Sequence, residues 1–472
     1  MPNSAVMLAL MRLYNTLTRH LDEVAPIDGR TVRMYTCGPT VYRYVHIGNL
    51  RSFLLSDLVR RALEFEGYDV VQVVNVTDVG HMTDEVTDTG RDKMLLAVED
   101  EERSPVEIAE RYTRAFLEDT AAIGIERAHV YPKATEHIAD MLELTRRLVD
   151  NGHAYEVGGT VYFDVRSFPD YGKLSGNTLE KLRAGHRQEV EVDPNKRHHA
   201  DFALWKSAGE ARLMKWDSPW GEGFPGWHIE CSAMSMKYLG DRFDIHTGGV
   251  DLVFPHHEDE IAQSEGATGD RVVSIWVHGG HLRLKEQKMA KSTGNIIRIG
   301  DLAAMGFDPL SYRYLTFQTR YRSEMDFSFD AMRAADTAVK RLRQRMVEWA
   351  PAASERSRAA DELDRRFREA VADDLDMPQA LVVLNELASS TVPGGDKYAL
   401  LSSWDTVLGL DLERDVREAW QPDEEMGALV AERDSARAAR DFARADEIRD
   451  RLAGMGLEVM DTPDGTRVRP QR

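Results

Sequence analysis

Four residues far apart in the chain carry the donor types of a metal site: Cys37, Cys231, His256 and Glu260. Two thiolates, one imidazole and one carboxylate are enough to complete a tetrahedral zinc shell. His256 and Glu260 stand four apart, which puts both on one face of a helix running from about His256 to Ser264. The same residues admit plainer roles. A lone cysteine also serves as a small buried hydrophobe, and a His–Glu spacing of four also makes an ordinary surface pair. Spacing alone leaves both readings open.

Two further segments suit phosphate chemistry. His46-Ile47-Gly48-Asn49 lies between a β-rich run and a helical one, where a helix amino terminus points free backbone amides at an anion. His46 can donate a hydrogen bond to a phosphate oxygen, and Gly48 lets a nucleotide approach the backbone. Lys288-Met289-Ala290-Lys291-Ser292 carries two lysines three apart, followed by Gly294 and Asn295, the composition of a basic clamp over a triphosphate. Each segment has a bland alternative, a helix cap at Asn49 and a surface lysine pair. Their joint occurrence, in order and flanking alternating α/β sequence, favours nucleotide binding.

The elements that must position these residues follow from periodicity. Thr31 to Cys37 predicts a strand, and Asn49 to Glu66 a helix with Phe53, Leu54, Leu58, Ala62 and Phe65 at helical spacing and a stop at Gly67. Asp69 to Thr77 is a nearly unbroken apolar run, expected as a strand buried on both faces of a parallel sheet. Pro105 to Ile123 and Thr135 to Asn151 predict helices, and Gly158-Gly159 a hairpin turn. Arg166 to Pro225 is rich in Gly, Pro and Trp and reads as part of an insertion. Strand signals return at Phe243 to His246 and Val272 to Val277. Beyond about residue 330 the pattern is helical, with a helical pair over Glu432 to Arg451 and a final hairpin around Pro463-Asp464-Gly465 near Arg467, Arg469 and Arg472.

At 472 residues the chain exceeds a single core. No apolar run reaches the roughly 18 residues of a membrane span. Two cysteines cannot build a disulfide framework, so a reducing cytoplasm is expected. The net charge of −20 repels polyanions at long range, so a nucleic-acid partner needs locally basic surface.

The two loops resemble the His-Ile-Gly-His and Lys-Met-Ser-Lys-Ser signatures of class I aminoacyl-tRNA synthetases, with Asn49 in place of the second histidine and Ala290 in place of the first serine. Met34-Tyr35-Thr36-Cys37-Gly38-Pro39-Thr40-Val41-Tyr42, Gly226 to Met234, Phe254-Pro255-His256-His257-Glu258 and Ala443 to Arg449 resemble the cysteinyl-tRNA synthetase family more specifically. The likeness runs from Leu13 to Arg469. It implies one zinc ion on Cys37, Cys231, His256 and Glu260, binding the substrate thiolate and thereby excluding serine. It implies Thr77 and Trp227 beside L-cysteine, and His46, Gly48, Asn49, Asp251, Lys288 and Lys291 around ATP and Mg2+. His46, Lys288 and Lys291 would act on the transferring phosphate. Two stretches depart from the family's commonest form: Val79-Gly80-His81-Met82 replaces a more usual acidic pair, and Thr247 stands where a third glycine is common.

The implied architecture is α/β. A Rossmann-like, doubly wound parallel-sheet catalytic domain spans 13–330, with an inserted connective segment at about 130–225 and a stem-contact region at about 300–330. An all-helical anticodon-binding domain at 331–410 and a small C-terminal module at 411–472 follow. Residues 1–12 are an extension, mobile or an artefact of start-codon choice. The implied activity is ATP-dependent ligation of cysteine to tRNA(Cys) by a monomer with no membrane attachment. The alternatives are the cysteine ligase of mycothiol synthesis, which usually lacks the long tail, and a non-catalytic synthetase paralogue.

Overall fold

The computed structural model describes residues 10–84, 89–181, 193–210, 212–284, 296–350, 356–419, 423–462 and 465–470. Most of the expected N-terminal extension lies outside the described residues, as does the whole second loop with Lys288, Ala290 and Lys291.

Strand β1 (Thr31–Thr36) leads through the first loop into helix α1 (Ile47–Phe65), and strand β2 (Asp69–Val74) returns parallel to β1. Helices α2 (Pro105–Ala122) and α3 (Ile138–Asp150) follow. Strands β3 (Ala154–Val157), β4 (Thr160–Phe163), β5 (Phe202–Ser207) and β6 (Gly223–Pro225) form an antiparallel sheet in the order β6-β5-β4-β3. The region expected as an insertion thus carries its own sheet. Helix α4 (Trp227–Leu239), strand β7 (Phe243–Gly249), helix α5 (Glu258–Thr268) and strand β8 (Val273–Gly279) complete the main body.

The main sheet has the order β8-β7-β1-β2, parallel throughout. Strand order reverses between β1 and β7, so their carboxyl ends flank the crevice where such sheets bind ligands. Alternation along each strand fills both faces. Val32, Met34, Val70, Ile245, Ile275 and Val277 pack with α1, whereas Tyr35, Val73, Phe243 and Trp276 pack with residues of α3, α4 and α5. The ladder between β1 and β2 ends at Val74, short of the expected Thr77. There the Asn75 side chain accepts the Gly38 N–H at 2.7 Å, and only isolated bridges continue at Val76 and Thr77.

Helix α4 was not evident as a helix in the sequence. It is buried on nearly every side from His228 to Ser235, including Glu230 and Ser232, so no single apolar stripe marks its period.

Helix α6 (Pro309–Phe317) begins the helical half, followed by α7 (Phe329–Trp349), α8 (Arg358–Ala372), α9 (Met377–Ser389) and α10 (Gly394–Leu408). One hydrophobic cluster joins α1 to helices α6 to α10. Across it Arg313, fully buried, pairs with Asp57 of α1 at 2.6 Å. Burial opposes ionisation of Asp57, but Arg313 and Arg61 outweigh it and hold the carboxyl below its ordinary range. Helices α11 (Glu424–Ala438) and α12 (Phe442–Gly454) pack with hairpin β9 (Leu457–Thr462) and β10 (Gly465–Pro470) around Leu429, Ile448, Leu452 and Leu457. Among the described residues no helix is long and apolar enough to cross a membrane.

Candidate active site

Cys37 leaves the carboxyl end of β1, Cys231 sits in the first turns of α4, and His256 and Glu260 bracket the start of α5. Their donor atoms converge within 4.8 Å of one another, and all four residues are buried. His256 lies two residues before the regular helix, in an irregular turn over Val253–His257. Its Nε2 still reaches Glu260 Oε1 at 3.1 Å. Gly38 makes this convergence possible: a Cβ there would stand 1.6 Å from the Asn75 carbonyl oxygen.

The spacing fits a metal shell. Tetrahedral zinc with bonds of about 2.3 Å to sulfur and about 2.0–2.1 Å to nitrogen and oxygen requires edges of about 3.8 Å between sulfurs and about 3.3–3.6 Å elsewhere. Cys37 and Cys231 are 3.7 Å apart, both free thiols, and Cys37 Sγ lies 3.4 Å from Glu260 Oε1. Electrostatics agree. Against burial, Cys231 and Glu260 push the His256 imidazole up to about 10, and against burial His246 and His256 pull the Glu260 carboxyl down to about 2. Burial drives the Cys37 thiol up, whereas Cys231, despite its burial, is held down by Cys37 and His256. An anionic cluster that keeps a proton on its histidine is one whose proton a cation can displace.

A second group, Cys37, His246, His257 and Glu260, shares two donors with the first. Two of its edges are stretched, 4.0 Å from Cys37 to His246 and 3.9 Å from His257 to Glu260. Its histidines instead orient the first group. His246 Nε2 bonds Glu260 Oε2 at 3.0 Å, leaving Oε1 for the cluster. His257 Nε2 lies 3.3 Å from Cys37 Sγ, and its Nδ1 bonds His278, which in turn bonds Thr16, both at 2.7 Å. His256 Nδ1 bonds His228 at 2.8 Å, His228 reaches Asp259 at 3.2 Å, and Tyr171 donates to Asp259. Such chains fix tautomer and ring angle at metal sites. Sequence reasoning missed His228, His246 and His278. For His246 and His278 the available signal was a histidine in a strand buried on both faces, since a polar residue there needs a reason; His228, on α4, carried no such signal.

Cys37 and His256 bring the cluster into the floor of a cavity of about 570 Å³ that opens along the first loop. His46 caps α1: its Nδ1 accepts the Asn49 N–H and Asn49 Oδ1 accepts the His46 N–H, both at 3.2 Å. An accepting Nδ1 leaves the proton of a neutral ring on Nε2. Burial, then the nearby Arg43 charge, hold His46 below its ordinary value. Gly48 gives this cap its room, because a Cβ there would lie 3.0 Å from the His46 ring.

His46, Gly48, Asn49, Asp251 and Trp227 all line the cavity, with the Trp227 ring 4.3 Å from that of His256. Thr77 is set back from it, 2% exposed, donating to Glu230 at 2.9 Å while accepting from Asn75 at 3.1 Å. His81, one of the departures from the family's form, bonds the other Glu230 oxygen at 2.6 Å. Thr247, the other departure, bonds Thr36 and Ser56 at 2.9 Å behind the site. Lys288 and Lys291 lie outside the described residues.

A family model described as tRNA synthetases class I (C) catalytic domain matches residues 23–337. The chain is 42% identical to a cysteine–tRNA ligase of Treponema denticola over 486 residues, covering 96% of this chain and 98% of that one. The chain belongs to the cysteine–tRNA ligase family. A cysteine–tRNA ligase of Thermus thermophilus is 44% identical over 481 residues, covering 98% and 99%. A second model, described as the cysteinyl-tRNA ligase anticodon binding domain, matches residues 422–469. That match gives this member of the cysteine–tRNA ligase family the C-terminal part that the shorter mycothiol ligase usually lacks. Among solved structures, Mycobacterium tuberculosis methionyl-tRNA synthetase with methionyl-adenylate aligns at a TM-score of 0.56 and 15% identity, covering 83% of this chain and 92% of that one. This likeness concerns the fold.

Proposed function

We propose that the chain is a cysteine–tRNA ligase: it activates L-cysteine with ATP to cysteinyl-adenylate and pyrophosphate, then transfers the cysteinyl group to the 3′ end of tRNA(Cys). The observation that carries this is the convergence of Cys37, Cys231, His256 and Glu260 at tetrahedral spacing beneath a nucleotide-sized cavity. One zinc ion, when bound there, supplies a position that takes a thiolate in preference to a hydroxyl. Trp227 flanks the amino acid from the cavity wall, and Thr77 stands behind that wall on the amino-acid side with its hydroxyl proton committed to Glu230. His46 offers Nε2–H and the α1 amino terminus offers backbone amides to phosphate, Asp251 takes the ribose, Lys291 contacts the ATP phosphates and Lys288 helps hold the departing pyrophosphate, with Mg2+ accompanying ATP.

Residues 13–330 form the catalytic domain, 331–410 and 411–472 carry the tRNA body and anticodon, and the enzyme works as a cytoplasmic monomer. The test is cysteine-dependent ATP–pyrophosphate exchange followed by charging of tRNA(Cys). Exchange with cysteine should exceed exchange with serine by about 10⁴-fold, as expected when a site built to bond one group meets an analogue lacking it. Equal use of serine, or no amino-acid-dependent exchange, would overturn the reading.

A further inference from the structure

We propose that Arg43 is a phosphate-binding residue of this cavity, presenting its guanidinium to a phosphate group of a bound substrate; the proposal rests on the ligase reading above. Arg43 stands three residues before His46 and is the single Lys or Arg among the described residues that line the cavity. It is exposed, and among the described residues it makes no ion pair. Its one ring contact is with neighbouring Tyr42, 5.2 Å from guanidinium to ring centre.

Nearby arginines are committed elsewhere. Arg51 is buried and donates to the carbonyls of His281 and Ser323 at 2.8 and 2.7 Å. Arg298 stacks on Tyr44, 3.4 Å from its ring centre. In a chain with 80 acidic and 60 basic residues, an arginine left without a carboxylate on the wall of an anion-binding cleft is available to a ligand.

The local chemistry calls for such a cation. With Nδ1 engaged by Asn49 and its titration shifted down, His46 is a neutral donor that brings a hydrogen bond and no full charge. A guanidinium keeps its charge at every physiological pH and matches a phosphate with two parallel N–H bonds. Two substrates of the proposed reaction present that group at this mouth: the triphosphate of ATP and the sugar-phosphate backbone at the tRNA 3′ end.

Arg43→Ala and Arg43→Lys, compared with wild type, separate these sources. Arg43→Ala should raise KM for ATP about tenfold in pyrophosphate exchange, the loss of one charge-assisted contact, with KM for cysteine unchanged and partial recovery in Arg43→Lys. If exchange is unchanged but KM for tRNA rises and the salt dependence of tRNA binding falls by about one ion, the proposal holds with the acceptor strand as its source. If Arg43→Ala leaves both ATP and tRNA parameters unchanged, or moves KM for cysteine equally, the proposal is wrong. Calorimetric titration with ATP keeps this separate from the functional reading. Should wild type lack cysteine-dependent exchange, weaker ATP binding by Arg43→Ala still supports the contact, and equal binding overturns it.

Discussion

The floor and the mouth of the cavity are built in opposite ways. At the floor, Cys37, Cys231, His256 and Glu260 are buried, and a shell of histidines, Asp259 and Tyr171 holds them through at least two successive hydrogen bonds. At the mouth, Arg43 and Asn49 are exposed, and His46 is half-buried and held by one reciprocal cap. The floor is organised before any ligand arrives, whereas the mouth keeps donors that a ligand must satisfy. On the proposed function, selection of the amino acid belongs to the rigid part, and nucleotide affinity to the adaptable part.

The sharpest way to break this division is Cys231→Ser. Loss of a shell partner alone typically costs 10–100-fold at a metal site, so loss of a ligand should lower cysteine-dependent exchange by at least about a hundredfold. ATP binding by calorimetry should be unchanged. A variant that loses ATP affinity while still selecting cysteine would invert the assignment.

A smaller effect is expected at the mouth. His46→Gln should lower kcat for exchange by up to about a hundredfold, as for loss of one preorganised donor to developing charge, while cysteine affinity stays at the wild-type value.

The smallest effect is on stability against pH, and its sign differs between the two regions. Burial and neighbouring His246 push His278 of the floor down to about 3 from 6.5. The unfolded chain then binds the extra proton between those values, so this contribution to stability is lost as pH falls from 6.5 towards 3. Burial raises Asp119, which faces the Arg298 that stacks on Tyr44 of the cavity wall, to about 6 from 3.8. Here the folded chain binds the extra proton, so stability falls as pH rises through that window. Urea unfolding from pH 4 to 7 should show His278→Asn reducing the acid-side loss and Asp119→Asn removing a loss on the alkaline side. Slopes of the same sign would refute the contrast.

The same contrast decides what could be read from sequence. Strand β1, helix α1 and the first loop carry local signals, an alternating run, a 3.6-residue period and a cap, and the structure follows them. The four donors were recognisable by type and by resemblance, and they converge. The shell behind them was not, because His228, His246 and His278 meet only through the register of β7 with its neighbours and the packing of α4 and α5. Partners 14 to 28 residues apart, from His246 with Glu260 to His228 with His256, leave no periodic trace. Helix α4 stayed hidden because its polar residues face inward, as did the sheet of β3 to β6, whose strand β5 lies far along the chain from the hairpin it joins. Asn49 reads differently in the structure: it is the reciprocal partner of His46, so the departure from the family's second histidine keeps the loop closed on α1.

The most direct test of the account is cobalt substitution at the cluster, read by absorption. Tetrahedral cobalt with two thiolates from Cys37 and Cys231 should give intense visible d–d bands and a sulfur-to-cobalt charge-transfer band. That band should strengthen on addition of L-cysteine and stay unchanged with L-serine. A weak octahedral spectrum, or equal responses to the two amino acids, would contradict metal selection at the floor.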